Sequence, residues 1–84
     1  MFSAFADDRS GKYRVRVEEI TLSGFTVAWR WYVFDVQNRM NVVDTDIAHR
    51  DADAWCEGWA IVALLLSRDD SKLEGAYSIG LTQY

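Results

Sequence analysis

Phe25-Thr26-Val27-Ala28-Trp29-Arg30-Trp31-Tyr32-Val33-Phe34-Asp35-Val36 is the stretch that decides the fold. β-Branched and aromatic residues dominate it, and these suit a pleated, half-buried surface. It predicts a long strand with two unlike faces. Val27, Trp29, Trp31 and Val33 fall on one side, and Arg30, Tyr32 and Phe34 on the other. Upstream, Tyr13 to Ile20 alternates, with Tyr13, Val15 and Val17 opposite Arg14, Arg16 and Glu18. That predicts a half-buried strand. Ser23-Gly24 marks the reversal between the two. Downstream, Gln37-Asn38-Arg39 reads as a turn. Met40 to Ile47 reads as a weaker third strand, with Val43 and Ile47 opposite Asp44 and Asp46.

Register decides which side chains share a face, because a slip of one residue flips them all. A two-residue Ser23-Gly24 loop that pairs Leu22 with Phe25 puts Arg16 beside Trp31 on the apolar face. A three-residue loop, Ser23 to Phe25, pairs Val15 with Val33, Val17 with Trp31 and Glu18 with Arg30. One face is then apolar and the other gains a cross-strand ion pair. The expectation is an odd-length loop with a bulge at Gly24. The same reasoning at Asn38 to Met40 pairs Val33 with Thr45 and Trp31 with Ile47. The apolar face then holds Val15, Val17, Val27, Trp29, Trp31, Val33, Val43 and Ile47. The outer face reads Arg14, Phe34, Asp44 in one row and Arg16, Tyr32, Asp46 in the next. Arg14, Arg16, Arg30, Tyr32, Phe34, Asp44 and Asp46 are therefore the candidate partner-binding residues. Tyrosine and arginine are enriched at binding hot spots.

A helix is predicted from about Asp51 to Ser67. Asp51 can cap it, and Asp53 and Glu57 suit the positive end of its dipole. Ala52, Trp55, Cys56, Trp59, Val62, Ala63 and Leu66 recur at helical spacing as a core stripe. Gly58 costs about 1 kcal/mol against alanine in mid-helix, which points to a close approach to the sheet or to a second helix. Ile61, Leu64 and Leu65 lie outside the stripe and call for a second cover. They are the candidate oligomer interface, with the outer sheet face as the other route to self-association. Arg68 to Gly75 reads as a charged loop and Ala76 to Tyr84 as a fourth strand, with Tyr77, Ile79 and Leu81 on one side. Met1 to Lys12 reads as a loose lead-in, with turn chemistry at Asp8-Arg9-Ser10-Gly11. The expected class is α+β. A three- to four-stranded antiparallel sheet packs on one helix in the order β-β-β-α-β, and residues 1–84 form one domain.

Composition narrows the function. Half of the 84 residues are hydrophobic and four are tryptophan, so a real core can form. There is no proline and only five glycines, against the pattern of disordered chains. A net charge of −4 disfavours general nucleic-acid binding and suits a basic partner. One cysteine, Cys56, cannot form an internal disulfide, which favours a cytoplasmic setting. Met1 to Asp8 lacks a basic leader and predicts no signal peptide. The uncharged run Gly58 to Ser67 is ten residues, too short to cross a bilayer, so no membrane partner is expected.

Chemistry-bearing clusters are few. Asp44 to Asp53 gathers four aspartates and His49, and hard cations take oxygen ligands from such runs. The spacing fits no calcium loop, which needs a central glycine and a closing glutamate. Two solvent-facing strand aspartates followed by helix-capping ones explain it more simply. His49 has no serine or cysteine nucleophile framed beside it. Cys56, on the core stripe, reads as a small buried hydrophobe. No catalytic residue, cofactor or metal is expected, and the chain reads as a non-enzyme.

Trp29-Arg30-Trp31-Tyr32-Val33 and Ala54-Trp55-Cys56-Glu57-Gly58-Trp59-Ala60, joined in the order strand, strand, strand, helix, resemble the arm-binding domains of phage integrases. Small orphan proteins of phages and actinobacteria look similar. The likeness covers Tyr13 to Leu66, and for the integrase domains it implies a sheet face that enters DNA. In size, acidity and plan the chain also resembles small phage inhibitors of host defence, anti-CRISPR proteins among them. That likeness implies an inhibitor acting in the host cell cytoplasm on a defence or nucleic-acid-handling protein. The first expectation is thus a protein-binding module that self-associates as a homodimer. The alternatives are a nucleic-acid-binding module using the same face and a structural homo-oligomer.

Overall fold

A computed structural model describes residues 2–81, and the side chains of residues 2–69. The fold is α+β: a four-stranded antiparallel sheet in the order β1-β2-β3-β4, packed on one C-terminal helix. The strands are β1 (Ser3–Asp7), β2 (Tyr13–Leu22), β3 (Phe25–Asp35) and β4 (Asn41–Ala48), and the helix is α1 (Asp51–Leu81).

The fourth strand lies at the N-terminus, not the C-terminus. Ser3–Asp7, expected as a loose lead-in, pairs with β2 from Ser3↔Glu18 to Asp7↔Arg14. Asp8 shapes the hairpin that makes this possible. Its carboxylate accepts from Ser10 Oγ at 2.7 Å, from the Lys12 amide at 3.0 Å and from the Tyr13 amide at 3.3 Å. Gly11 takes the left-handed turn position, φ 73°. At the other end, helix continues through Arg68 to Gly75 and Ala76 to Leu81, where a loop and a strand were expected. Arg68, Lys72, Leu73, Glu74 and Ala76 are good helix formers, and no proline interrupts the run. Thr82 to Tyr84, the end of the expected strand, lie outside the described residues.

The β2–β3 register is the expected one: Val15↔Val33, Val17↔Trp31 and Glu18↔Arg30. The way it is reached differs. Leu22 pairs with Phe25 across a two-residue turn, and both Ser23 (φ 53°) and Gly24 (φ 83°) are left-handed, as a type I′ hairpin requires. The compensating bulge leaves Val27 without a partner, since Thr21 pairs with Thr26 and Ile20 with Ala28. The hairpin tip carries Leu22, Phe25 and Val27, all exposed.

The β3–β4 register differs by one residue from the expected one. Asp35 pairs with Asn41 across a five-residue loop in which Arg39 and Met40 are left-handed. The Asp35 side chain and carbonyl both accept from the Asn38 amide at 3.2 Å, so this aspartate sets the loop. A bulge beyond Phe34↔Val42 then gives Val33↔Asp44, Tyr32↔Thr45 and Trp31↔Asp46. The slip moves Asp44 and Asp46 off the outer face and puts Thr45 and Ile47 onto it. Ile47, expected in the core, is exposed, as are Val27 and Val43 at the two bulges.

The core lies between α1 and the inner face of the sheet: Tyr13, Val15, Val17, Trp31, Val33 and Ala48 from the strands, and Ala54 and Val62 from the helix. Trp29, Trp55, Trp59, Ile61, Leu65 and Leu66 flank it. The buried stripe of the helix is thus rotated from the expected one. Cys56, Ala52 and Ala63 face solvent, and Ala54 and Gly58 face the sheet. The Trp31 indole fixes the rotation by donating from Nε1 to Glu57 Oε1 at 3.0 Å. Farther along, the Tyr13 hydroxyl donates to Asp69 Oδ2 at 2.9 Å. No described helix is long and apolar enough to cross a membrane.

Candidate functional site

The outer face of the sheet is built by alternation. Pairing across the four strands gives the rows Asp7, Arg14, Phe34, Val42 and Phe5, Arg16, Tyr32, Thr45, followed by Ser3, Glu18, Arg30, Ile47. α1 packs on the other face, against β2, β3 and β4. The N-terminal segment does not fold across the outer face. It extends the sheet sideways and adds Phe5 and Asp7 to the surface.

Aromatic rings and guanidinium groups interlock here. Tyr32 and Phe34 stack with centroids 5.8 Å apart and planes at 24°. Arg16 lies 5.9 Å from the Tyr32 ring centroid, and Arg14 lies 4.2 Å from that of Phe5, within reach of cation–π attraction. Arg14 is held in turn by Asp7, with Nε to Oδ1 at 2.6 Å and a second contact at 3.3 Å. This fork pairing draws the Asp7 carboxyl below the usual carboxylate range and raises the Arg14 guanidinium. Arg16 donates to Ser3 Oγ at 3.1 Å and to Glu18 Oε2 at 3.3 Å. Glu18 Oε1 accepts from the Tyr32 hydroxyl at 2.8 Å. The hydrogen bond to Glu18 and partial burial push the Tyr32 phenol above its ordinary value. A shallow groove of about 400 Å³ runs between Ser3, Phe5, Arg14, Arg16, Phe34 and Met40.

Five of the seven expected residues, Arg14, Arg16, Arg30, Tyr32 and Phe34, come together on this face. Asp44 and Asp46 do not. They lie at the β4 edge on the helix side of the sheet, and their carboxylates accept from the amides of Thr45 and Ile47. Phe5, Asp7 and Val42 belong to the face and were missed. The alternation of Ala4 and Ala6 with Phe5 and Asp7, the last opposite in charge to Arg14 and Arg16, was the available signal for the N-terminal strand. Of the expected oligomer interface, Ile61 and Leu65 pack against the core, while Leu64 is 67% exposed. Among the described residues no three His, Cys, Asp or Glu side chains converge as metal ligands would. No family model, curated protein or solved structure matches the chain.

Proposed function

We propose that the chain is a non-enzymatic protein-binding module that uses its outer sheet face as the docking surface. The observation that carries this reading is the pinned aromatic patch. Tyr32 is held by Arg16 and Glu18 and stacks on Phe34, so the pair loses little conformational freedom on binding. Rigid aromatics beside arginine, rimmed by exposed apolar Phe5, Val42 and Ile47, make a hot-spot composition. The acidic chain suits a partner with a basic cleft, and its likeness in size and plan to small phage inhibitors agrees with a defence or nucleic-acid-handling target.

Nucleic acid is the second reading, and the departure of Asp44 and Asp46 from the face favours it. Against it, Arg14 and Arg16 already neutralise Asp7 and Glu18. They therefore contribute little to the counterion release that drives phosphate binding.

Capture from a lysate at high salt tests the first reading. The joint substitution of Tyr32→Ala and Arg16→Ala should weaken capture about thirty-fold, the loss of a hot spot worth about 2 kcal/mol. Leu64→Ala on the helix should leave it unchanged. Capture that survives the joint substitution would overturn the assignment of this face. Binding of a labelled single strand that weakens steeply with added salt would instead establish the second reading.

A further inference from the structure

The two edges of the sheet differ in where their backbone amides end. On β4 the outward amides of Thr45 and Ile47 donate to Asp44 Oδ1 at 2.9 Å and Asp46 Oδ1 at 2.8 Å. These carboxylates occupy the positions that an added strand would use, and protected edges of this kind resist pairing. On β1 the even-numbered residues face β2. The Asp8 amide donates to the Tyr13 carbonyl at 3.0 Å, and the Phe2 carbonyl accepts from the Glu19 amide at 2.9 Å. Alternation sends the backbone groups of Ser3, Phe5 and Asp7 outward. Among the described residues no side chain accepts from the amides of Phe5 or Asp7.

We propose that two copies of the chain join edge to edge through β1, antiparallel about a two-fold axis at Phe5. The four strands of each copy then form one continuous eight-stranded sheet. The register is self-complementary, as an isologous interface requires. Phe5 faces Phe5 of the second copy, and each amide donates to the other carbonyl. Ser3 faces Asp7 of the second copy, and Asp7 faces Ser3. Ser3 Oγ already accepts from Arg16 Nε at 3.1 Å, which leaves its own proton to donate to the facing carboxylate. Asp7 meets the interface already neutralised by Arg14. Ala4 and Ala6 face each other on the helix side and add no bulk. Phe5, 59% exposed alone, is partly covered by its twin on pairing. This self-match is what favours a second copy over an unrelated extended peptide. The pairing joins two outer faces side by side and doubles the proposed docking surface.

Light scattering during gel filtration over a concentration series reads the assembly directly. The chain should run at twice its monomer mass. Phe5→Pro removes two amide donors at the two-fold without touching the bonds to β2, and should weaken dimerisation about thirty-fold. Phe5→Lys sets like charges opposite each other and should also give monomer, while Ile47→Lys on the opposite edge should leave the dimer intact. Should a Phe5 variant fail to fold, amide exchange on the unaltered chain decides. The Phe5 and Asp7 amides should be protected when concentrated and lose that protection on dilution. A monomer at every concentration, or a dimer that survives Phe5→Pro and Phe5→Lys, would overturn the proposal.

Discussion

Gly58 lets α1 lie close on β2 because it has no side chain to hold them apart. A Cβ there would sit 2.7 Å from Val15 Cγ1, and Val15 is fully buried. Gly58→Ala gains about 1 kcal/mol of helix propensity but forces an overpacked core, which costs about 1 to 3 kcal/mol. The expected result is a net loss of stability in urea unfolding, larger for Gly58→Val. A gain for Gly58→Ala would mean that the helix rides higher than described. Tyr13 makes the second residue-scale test. Burial, with Asp69 as hydrogen-bond acceptor, pushes its phenol above the ordinary tyrosine value of about 10. A raised folded value means that the stabilisation is full below the unfolded value and is lost as the pH climbs through the folded one. Tyr13→Phe should cost about 1 kcal/mol at neutral pH and flatten the alkaline fall in stability. An unchanged alkaline limb would remove Tyr13 from that role.

At the scale of elements, β1 hangs on charged side chains more than on packing. Asp7 is paired with Arg14, Asp8 holds the hairpin loop, and Glu19 accepts from the Phe2 amide at 3.0 Å. Glu19 also accepts from Thr26 Oγ1. For Asp8, partial burial works against ionisation, but bonds from the Ser10 hydroxyl and three amides outweigh it. All three carboxyls lie below their ordinary values. Their stabilisation is therefore present above the unfolded values near about 4 and is lost as the pH falls through the lower folded ones. Acid should release β1 first, with the Ala4 and Ala6 amides losing exchange protection before those of Arg16 and Tyr32, which face each other between β2 and β3. Simultaneous loss would place β1 in the same cooperative unit as the core. At the other edge, Asp44→Ala with Asp46→Ala should change stability by less than about 0.5 kcal/mol yet raise light scattering. A variant as soluble as the parent chain would show that these carboxylates do not guard the edge.

These elements also explain what could be read from the chain and what could not. Val15, Val17, Trp31 and Val33 determined the β2–β3 register, because any slip would have put Arg16 in the core. That argument works whatever the turn, so it survived a two-residue hairpin where three residues were expected. On β4 the same argument had little force. Val43, Asp44, Asp46 and Ile47 are all exposed at an edge, so neither register buries a charge and loop chemistry decides instead. The long helix was hidden by the period-two spacing of Tyr77, Ile79 and Leu81. β1 was hidden by its length, and its five residues join the sheet mainly through hydrogen bonds and Arg14.

For the whole molecule, one face of the sheet is committed to α1 and the other presents an ordered aromatic and arginine patch. Five of the seven candidate residues lie on the expected face because they alternate with core positions on β2 and β3. Asp44 and Asp46 lie off it, on the strand whose register the core does not enforce. The proposed function rests on the patch, so mapping a captured partner onto the chain by amide shifts tests it most directly. The expected result is perturbation at Phe5, Arg14, Arg16, Arg30, Tyr32 and Phe34, with Cys56 and Leu64 on the exposed side of α1 unmoved. Perturbation along Cys56 and Leu64 with the outer face silent would contradict it.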